Sequence, residues 1–371
     1  MDGKRVKSLL VAVFSLFLTF ISFPVSAQEH GGHSAQKKEA KKVKFDANEV
    51  IFGHVLDNYE FHFLTYESKD GEEHHVSIPL PVILYSKDRK KLSVFSSSRF
   101  HHGHEAYEGY RKEGLKIVST TPAEKFYDFS LTRNVVQMII SLILLVWIMI
   151  TVANRYKKGE GVQTAPKGLQ GFIEPVITFV RDDVGKPNLG KNYRKYMPYL
   201  LTVFFFILIN NLVGLIPGTA NVTGNIAFTL VLGVISFIVI LFSSNSHYWG
   251  HIFWPPGVPL GVKFIMIPVE IMSIFTKPFA LIIRLFANMI AGHIIIICLI
   301  SLIFIFGALS KGVGWGFSPI SVGFTIFIYF IEILVAFLQA YIFTNLTAVF
   351  VGQAFEGGHE DVDKHEDAVI V

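Results

Sequence analysis

Six residues in the second half of the chain are of types that can carry or block a proton, although they sit in apolar surroundings: Glu270, Arg284, Asn288, His293, Glu332 and Gln339. Arg284 lies in Leu281-Ile282-Ile283-Arg284-Leu285-Phe286-Ala287-Asn288, far from either end of its apolar run. A charge held in lipid costs at least ~2.5 to 3.5 kcal/mol on insertion scales, so it marks a functional site by default. Glu332, inside 328–338, invites the same inference. An ion pair between these two could simply join two helices, but the polar groups do not stop there. Asn288 follows Arg284 by one turn, and His293 lies further along the same helix. Thr325, Glu332 and Gln339 recur every seven residues and stripe one face of the last helix.

If the two helices run antiparallel, residues at equal depth have position numbers with a nearly constant sum. Arg284 with Gln339 and His293 with Glu332 meet that condition. A guanidinium then shares one level with an amide, and an imidazole shares a second level with a carboxylate, roughly 13 Å nearer the outside. His and Glu exchange protons near neutral pH, whereas Arg effectively does not. The arrangement is that of an outer proton inlet ending at an electrostatic barrier. Glu270, Lys277 and Arg284 are also seven apart, which makes Glu270 a candidate inner exit; its other reading is an interfacial carboxylate near the helix start.

The elements that must position these residues are membrane helices. The chain of 371 residues is 51% hydrophobic and 17% charged, with a mean hydropathy of +0.47, which rules out a soluble catalyst for most of its length. Apolar runs at 135–153, 199–217 and 226–242 each suit one crossing of a ~30 Å hydrocarbon layer. The runs at 263–309 and 317–355 would measure roughly 70 and 58 Å as helices, too long to stand upright. Pro268 and Pro278 are the only abrupt breakers in the first, and no polar turn divides its middle. The expectation is an all-α polytopic membrane protein with about five transmembrane helices, two of them long and strongly tilted and joined by a turn at 310–319. The 154–198 segment carries Arg155, Lys157, Lys158, Lys167, Arg181, Lys186, Lys191, Arg194 and Lys195, whereas 218–225 has no Lys or Arg. The positive-inside rule makes 154–198 cytoplasmic. Trp249, Trp254 and adjacent prolines in 247–259 read as an aromatic anchor on that side, and the tail 356–371 is expected there too.

Residues 1–27 have a basic start, an apolar stretch and a Val25-Ser26-Ala27 ending, the layout of a secretory signal peptide. An uncleaved first membrane helix is the other reading, and either way the segment 28–130 is expected to be exported. It holds His30, His33, His54, His62, His74, His75, His101, His102 and His104, and runs at 59–66 and 74–85 flank Lys69-Asp70-Gly71 as a hairpin would. A small β-rich, His-rich extracytoplasmic domain is expected ahead of a membrane domain at 131–355. The His-rich tracts could chelate a metal but fix no ligand geometry, so no metal or cofactor site is assigned. The single Cys298 lies in an apolar run and has no disulfide partner within the chain. A net charge of +4 gives no sign of nucleic acid.

At these residues the chain resembles subunit a of the rotary F-type ATP synthase, over about 130–355. The run Thr276-Lys277-Pro278-Phe279-Ala280-Leu281-Ile282-Ile283-Arg284-Leu285-Phe286-Ala287-Asn288-Met289-Ile290-Ala291-Gly292-His293 carries most of the likeness. Asn210-Asn211-Leu212-Val213-Gly214-Leu215-Ile216-Pro217, Leu338-Gln339-Ala340-Tyr341-Ile342-Phe343 and Leu346-Thr347 add to it. The resemblance implies that Arg284 faces a c-ring carboxylate and keeps two offset half-channels apart, with Asn288, Gln339, His293 and Glu332 lining the outward one. It implies a non-catalytic stator in a bacterial inner membrane. Its partners would be the c-subunit ring, the b-subunit peripheral stalk and, through the complex, the F1 sector. His293 and Glu332 interchange the residue types of a familiar bacterial version, as in mitochondrial relatives. The exported domain's role is not inherited, and the choice of H⁺ or Na⁺ is not encoded here.

Two other readings compete. A self-contained secondary transporter or ion channel would place Arg284 and Glu332 in its own binding site, but no second copy of the Arg-containing segment supports an internal repeat. A metal-handling exported module is the other. A phosphate loop is absent: Gly185-Lys186-Pro187-Asn188-Leu189-Gly190-Lys191-Asn192 ends in Asn rather than Ser or Thr and follows no strand, so a cytoplasmic turn is expected.

Overall fold

The computed structural model describes residues 56–67, 73–103, 105–121, 124–161, 165–216, 218–254 and 259–356. Residues 1–27, expected as a signal peptide, the stretch with His30 and His33, His54, His104 and the tail beyond 356 lie outside the described residues, as do the side chains of His62, His74, His75 and His102. The chain forms two compact units. One holds 241–273 with residues from 353 onward, and the other 45–240 with 274–352.

Among the described residues the larger unit opens with seven strands. β1 (Glu60–Glu67) pairs antiparallel with β2 (Glu73–Pro79), the expected hairpin. The second apolar run then divides, because Pro79 and Pro81 flank Leu80 and prolines cannot sustain a continuous ladder. The Leu80 N–H turns instead to the Tyr59 carbonyl and Ser97 Oγ. β3 (Pro81–Ser86) pairs with β4 (Lys91–Ser96) on one side and β7 (Phe126–Asp128) on the other. β5 (Tyr110–Glu113) and β6 (Lys116–Ser119) make a second hairpin. Alternation turns Val82 and Leu84 inward onto Tyr59, Phe100, Tyr110 and Ile117, with Phe95, Tyr107 and Phe126 packed around them.

Among the described residues five helical segments are long and apolar enough to cross a membrane, at Arg133–Lys157, Leu169–Gly214, Ile226–Ser243, Gly261–Ala308 and Lys311–Ala354. The first is α1 (Arg133–Lys157), which ends on Arg155 and Lys157 where the helix dipole favours positive charge. The second is longer than its apolar core. It comprises α2 (Leu169–Phe179), a π-helical turn (Val180–Gly185), α3 (Lys186–Leu189), a 3-10 turn (Gly190–Asn192) and α4 (Tyr193–Gly214). The turn expected at 185–192 is therefore helical. Asn188 Nδ2 donates to the Val184 carbonyl and to Asn345 Oδ1, both at 2.8 Å, so protein partners supply what water would have supplied in a loop. Phe179 packs its ring 5.4 Å from Tyr341.

α5 (Ile226–Ser243) and the short α6 (Ser246–Phe253) precede the two long helices, α7 (Leu260–Leu309) and α8 (Lys311–Glu356). Their 50 and 46 residues give roughly 75 and 69 Å. Pro268, Pro278 and Pro319 all stay inside helix, each at the loss of one backbone donor. The turn expected over 310–319 shrinks to Ser310. A Cβ on Gly314 would lie 2.7 Å from Gly307 Cα, so bare backbones at this end let the two helices return directly on each other. In the smaller unit Trp249 is buried, its Nε1 donating to Ser244 Oγ at 2.8 Å. Trp254 is exposed under Lys263 at 4.1 Å. Of the two expected anchors, only Trp254 keeps a free face.

Candidate functional site

α7 divides its residues by face. Leu281, Leu285 and Met289 point into the unit and are at most 4% exposed, while Ala280, Arg284, Ala287, Asn288 and Ala291 form an exposed stripe. Helical spacing of about 3.6 residues makes both sets continuous. Among the described residues Arg284 forms no hydrogen bond and no ion pair. It therefore sits on the outer surface of the helix, flanked by alanines small enough to let another helix approach closely. Gln339 instead points inward at 5% exposure. The two residues expected at one level are thus not joined by a hydrogen bond, because depth fixes the level while the 100° step per residue fixes the face.

The α8 stripe is as expected: Thr325, Glu332 and Gln339 are all buried. Glu332 lies against α7 at Gly292, where an added Cβ would overlap its carboxylate. Its Oε2 is enclosed without a partner among the described residues. Glu332 thus reaches the level of His293 without bonding to it. Position 293 is rotated from 292 toward α4, where Nε2 lies 2.9 Å from the Gly214 carbonyl and Nδ1 3.2 Å from the Met289 carbonyl. A neutral ring donates to one of these oxygens, an imidazolium to both. The two groups expected at one level are neighbours without a hydrogen bond between them, one turned to backbone carbonyls and one left open.

Around this level are polar residues that sequence reasoning passed over. Asn221 Nδ2 donates to the Met289 carbonyl at 3.1 Å. Gln137 on α1 donates to the Ala220 carbonyl at 2.6 Å and accepts the Ala220 N–H at 2.8 Å, pinning the loop that carries Asn221. Asn211 Nδ2 donates to the Ala336 carbonyl at 3.3 Å. Arg133, only 1% exposed, donates to the Leu56 carbonyl at 2.5 Å, and its N–H donates to the Asn58 carbonyl at 2.9 Å. The Asn134 N–H donates to Asp57 Oδ1. The available signal was a polar residue at every fourth position, Arg133, Gln137 and Ser141, at the start of an apolar run.

Glu270 belongs to the smaller unit and is half-buried. It lies within electrostatic reach of the Tyr248 hydroxyl, which burial first and this carboxylate second push above the ordinary phenol range. Lys277 stands 5.2 Å over the Phe350 ring.

A family model described as ATP synthase A chain matches residues 135–352. A second, described as a domain of unknown function, matches 50–137, the strands and the gripped start of α1. ATP synthase subunit a of Chloroherpeton thalassium is 48% identical over 240 residues, 63% of this chain and 69% of that one. ATP synthase subunit a 2 of Chlorobaculum tepidum is 46% identical over 246 residues, 65% and 67% of the two chains. Subunit a of Myxococcus xanthus is 38% identical over 247 residues, 65% and 78%. The family match covers the whole Arg284 region, and with these relatives it disfavours a self-contained transporter. With more than half of its length matched by one family model, the chain belongs to the ATP synthase A chain family.

Proposed function

We propose that the chain acts as stator subunit a of an F-type ATP synthase. It is a multi-pass protein of a bacterial inner membrane that forms two proton half-channels against a ring of c subunits. The b-subunit stalk holds it in place, and the F1 sector carries out the nucleotide chemistry, so this subunit is not itself a catalyst. A proton enters from the side of the β-rich domain, past His293 and Glu332, then Asn288 and Gln339, and neutralises a ring carboxylate that can then turn into lipid. After nearly a full rotation the acid meets Arg284, whose fixed charge favours the ionised form, and its proton leaves by the inner path, with Glu270 at the exit. Each charge moved across contributes ~2.3 kcal/mol per 100 mV of membrane potential. In this reading the β-rich domain is extracytoplasmic and the C-terminus cytoplasmic. α7 and α8 lie strongly tilted, because helices of such length exceed the ~30 Å layer.

The observation that carries this reading is Arg284, exposed and without a partner among the described residues on an alanine-lined helix face. A guanidinium placed so in lipid needs an outside counter-charge, and a ring carboxylate supplies one intermittently. Arg284→Ala in the whole complex is expected to abolish coupled ATP synthesis while the ring still co-purifies with the chain. Normal synthesis in that variant ends the assignment.

A further inference from the structure

Between Arg284 and Glu332 the chain carries a single formal charge, Lys311. It is the first residue of α8, where one apolar span has ended at Ala308 and the next begins. Its ammonium forms no ion pair among the described residues. Beside it lies a cavity of about 260 Å³ lined by Ile303, Gly307, Lys311, Gly314, Trp315 and Ser318. Ile303 and Gly307 are one turn apart on α7, while Lys311, Gly314 or Trp315, and Ser318 recur at three- and four-residue intervals on α8, so each helix gives the hollow one face. The two glycines leave its floor bare, and a Cβ on Gly307 would meet nothing within 4 Å. The walls cannot simply close. The Phe306 and Phe317 rings meet edge to face with centroids 4.6 Å apart, and Ser321 Oγ donates to the Leu299 carbonyl, which fixes this end of the helix pair. Trp315 is 81% exposed at the rim, the placing of an indole at a membrane–water boundary, with its body in lipid and its N–H toward water. A cation, the first N–H groups of a long helix and an indole thus surround an apolar hollow at the hydrocarbon edge, which calls for a ligand with an anionic head and an apolar tail. The volume lies just below the roughly 300 Å³ at which sites for whole small molecules begin, so it suits a head alone.

We propose that this hollow seats the headgroup of an acidic phospholipid, with its phosphate against Lys311 and the start of α8, its glycerol beside Trp315 and one acyl chain running along Ile303. The inference uses the membrane location of α7 and α8 and not the half-channel reading, so the two stand or fall separately.

The test uses the whole complex in phosphatidylcholine vesicles doped with a photoreactive phosphatidylglycerol or, separately, a photoreactive phosphatidylcholine, and maps the labelled peptides. The acidic probe is expected to label 303–318 about fivefold more than the zwitterionic one, which corresponds to the ~1 kcal/mol that one lysine contributes at an anionic surface. The exposed face of α1 at Ile143 should take both probes alike. Lys311→Gln should bring the acidic label down to the zwitterionic level, and Gly307→Leu, whose side chain fills the hollow, should lower both. Should Gly307→Leu not assemble, Lys311→Gln, a change on an exposed side chain, decides alone. Equal labelling of 303–318 by the two probes, or a preference that survives Lys311→Gln, overturns the site. Loss of the acidic label on adding inorganic phosphate at constant ionic strength overturns the lipid in favour of a small anion.

Discussion

Two arginines in one compact unit meet opposite fates. Arg133, at the head of α1, is buried and hands its donors to the Leu56 carbonyl and its surroundings. Arg284, midway along α7, lies on an exposed face and forms no bond within the chain among the described residues. The physics is the same for both, since a desolvated guanidinium must find acceptors. What differs is who supplies them. Arg133 has its acceptors built into the fold and fixes the strand domain to the membrane helix. In the proposed function a ring carboxylate supplies them to Arg284 from outside, and a gate needs a partner that comes and goes.

The comparison breaks first at Arg284, whose replacement by alanine should cost all coupled synthesis with assembly intact. The next largest effect is expected at Glu332, whose Oε2 is enclosed without a partner among the described residues. Glu332→Gln should slow proton transport severely, as measured by acidification of vesicles, and an unchanged rate removes it from the path. Gly292→Ala should do nearly as much damage from the neighbouring helix, because the new Cβ displaces the Glu332 carboxylate. Wild-type flux there would mean that Glu332 works equally well elsewhere. Arg133→Ala should act on structure instead, leaving the Leu56 carbonyl unmet at a cost of about 1 to 3 kcal/mol. Protease should then cut the strand domain faster while Arg284-dependent coupling persists; equal cutting rates would show that the grip is not Arg133's.

The smallest effect lies furthest from the path. Glu124 accepts Ser119 Oγ and Ser86 Oγ, both at 2.6 Å, and pairs with Arg89 at 2.8 Å. The two hydroxyls, Ser119 first, and then the arginine charge hold its carboxyl below the usual range. A depressed folded-state value contributes stability that is complete above the unfolded value of about 4.3 and is lost as pH falls through the folded one. The strand domain should therefore lose protease resistance on acidification below about pH 4, and Glu124→Gln should flatten that dependence. A parent profile that stays flat would remove Glu124 from the domain's stability.

Much of this was legible before any fold. Spans at 135–153 and 226–242 follow from apolar length, because lipid demands about 20 residues of helix, and α1 and α5 contain them. The overlong runs foretold two long helices because no polar turn interrupts them. Equal depth for His293 and Glu332 followed from antiparallel counting, and Glu332 does rest at Gly292. The helical 185–192 segment was missed because Asn188 takes its partner from Asn345, 157 residues away.

Which residues carry charge, how long the helices are and how far apart along them the polar groups lie all follow from composition and a fixed rise per residue. Which way each group faces and what it touches emerge from the packing of the helices. Gln339 turns in while Arg284 turns out, and His293 turns to Gly214 rather than to Glu332. Orientation depends on which helix packs against which face, and that is settled by contacts between residues far apart in the chain.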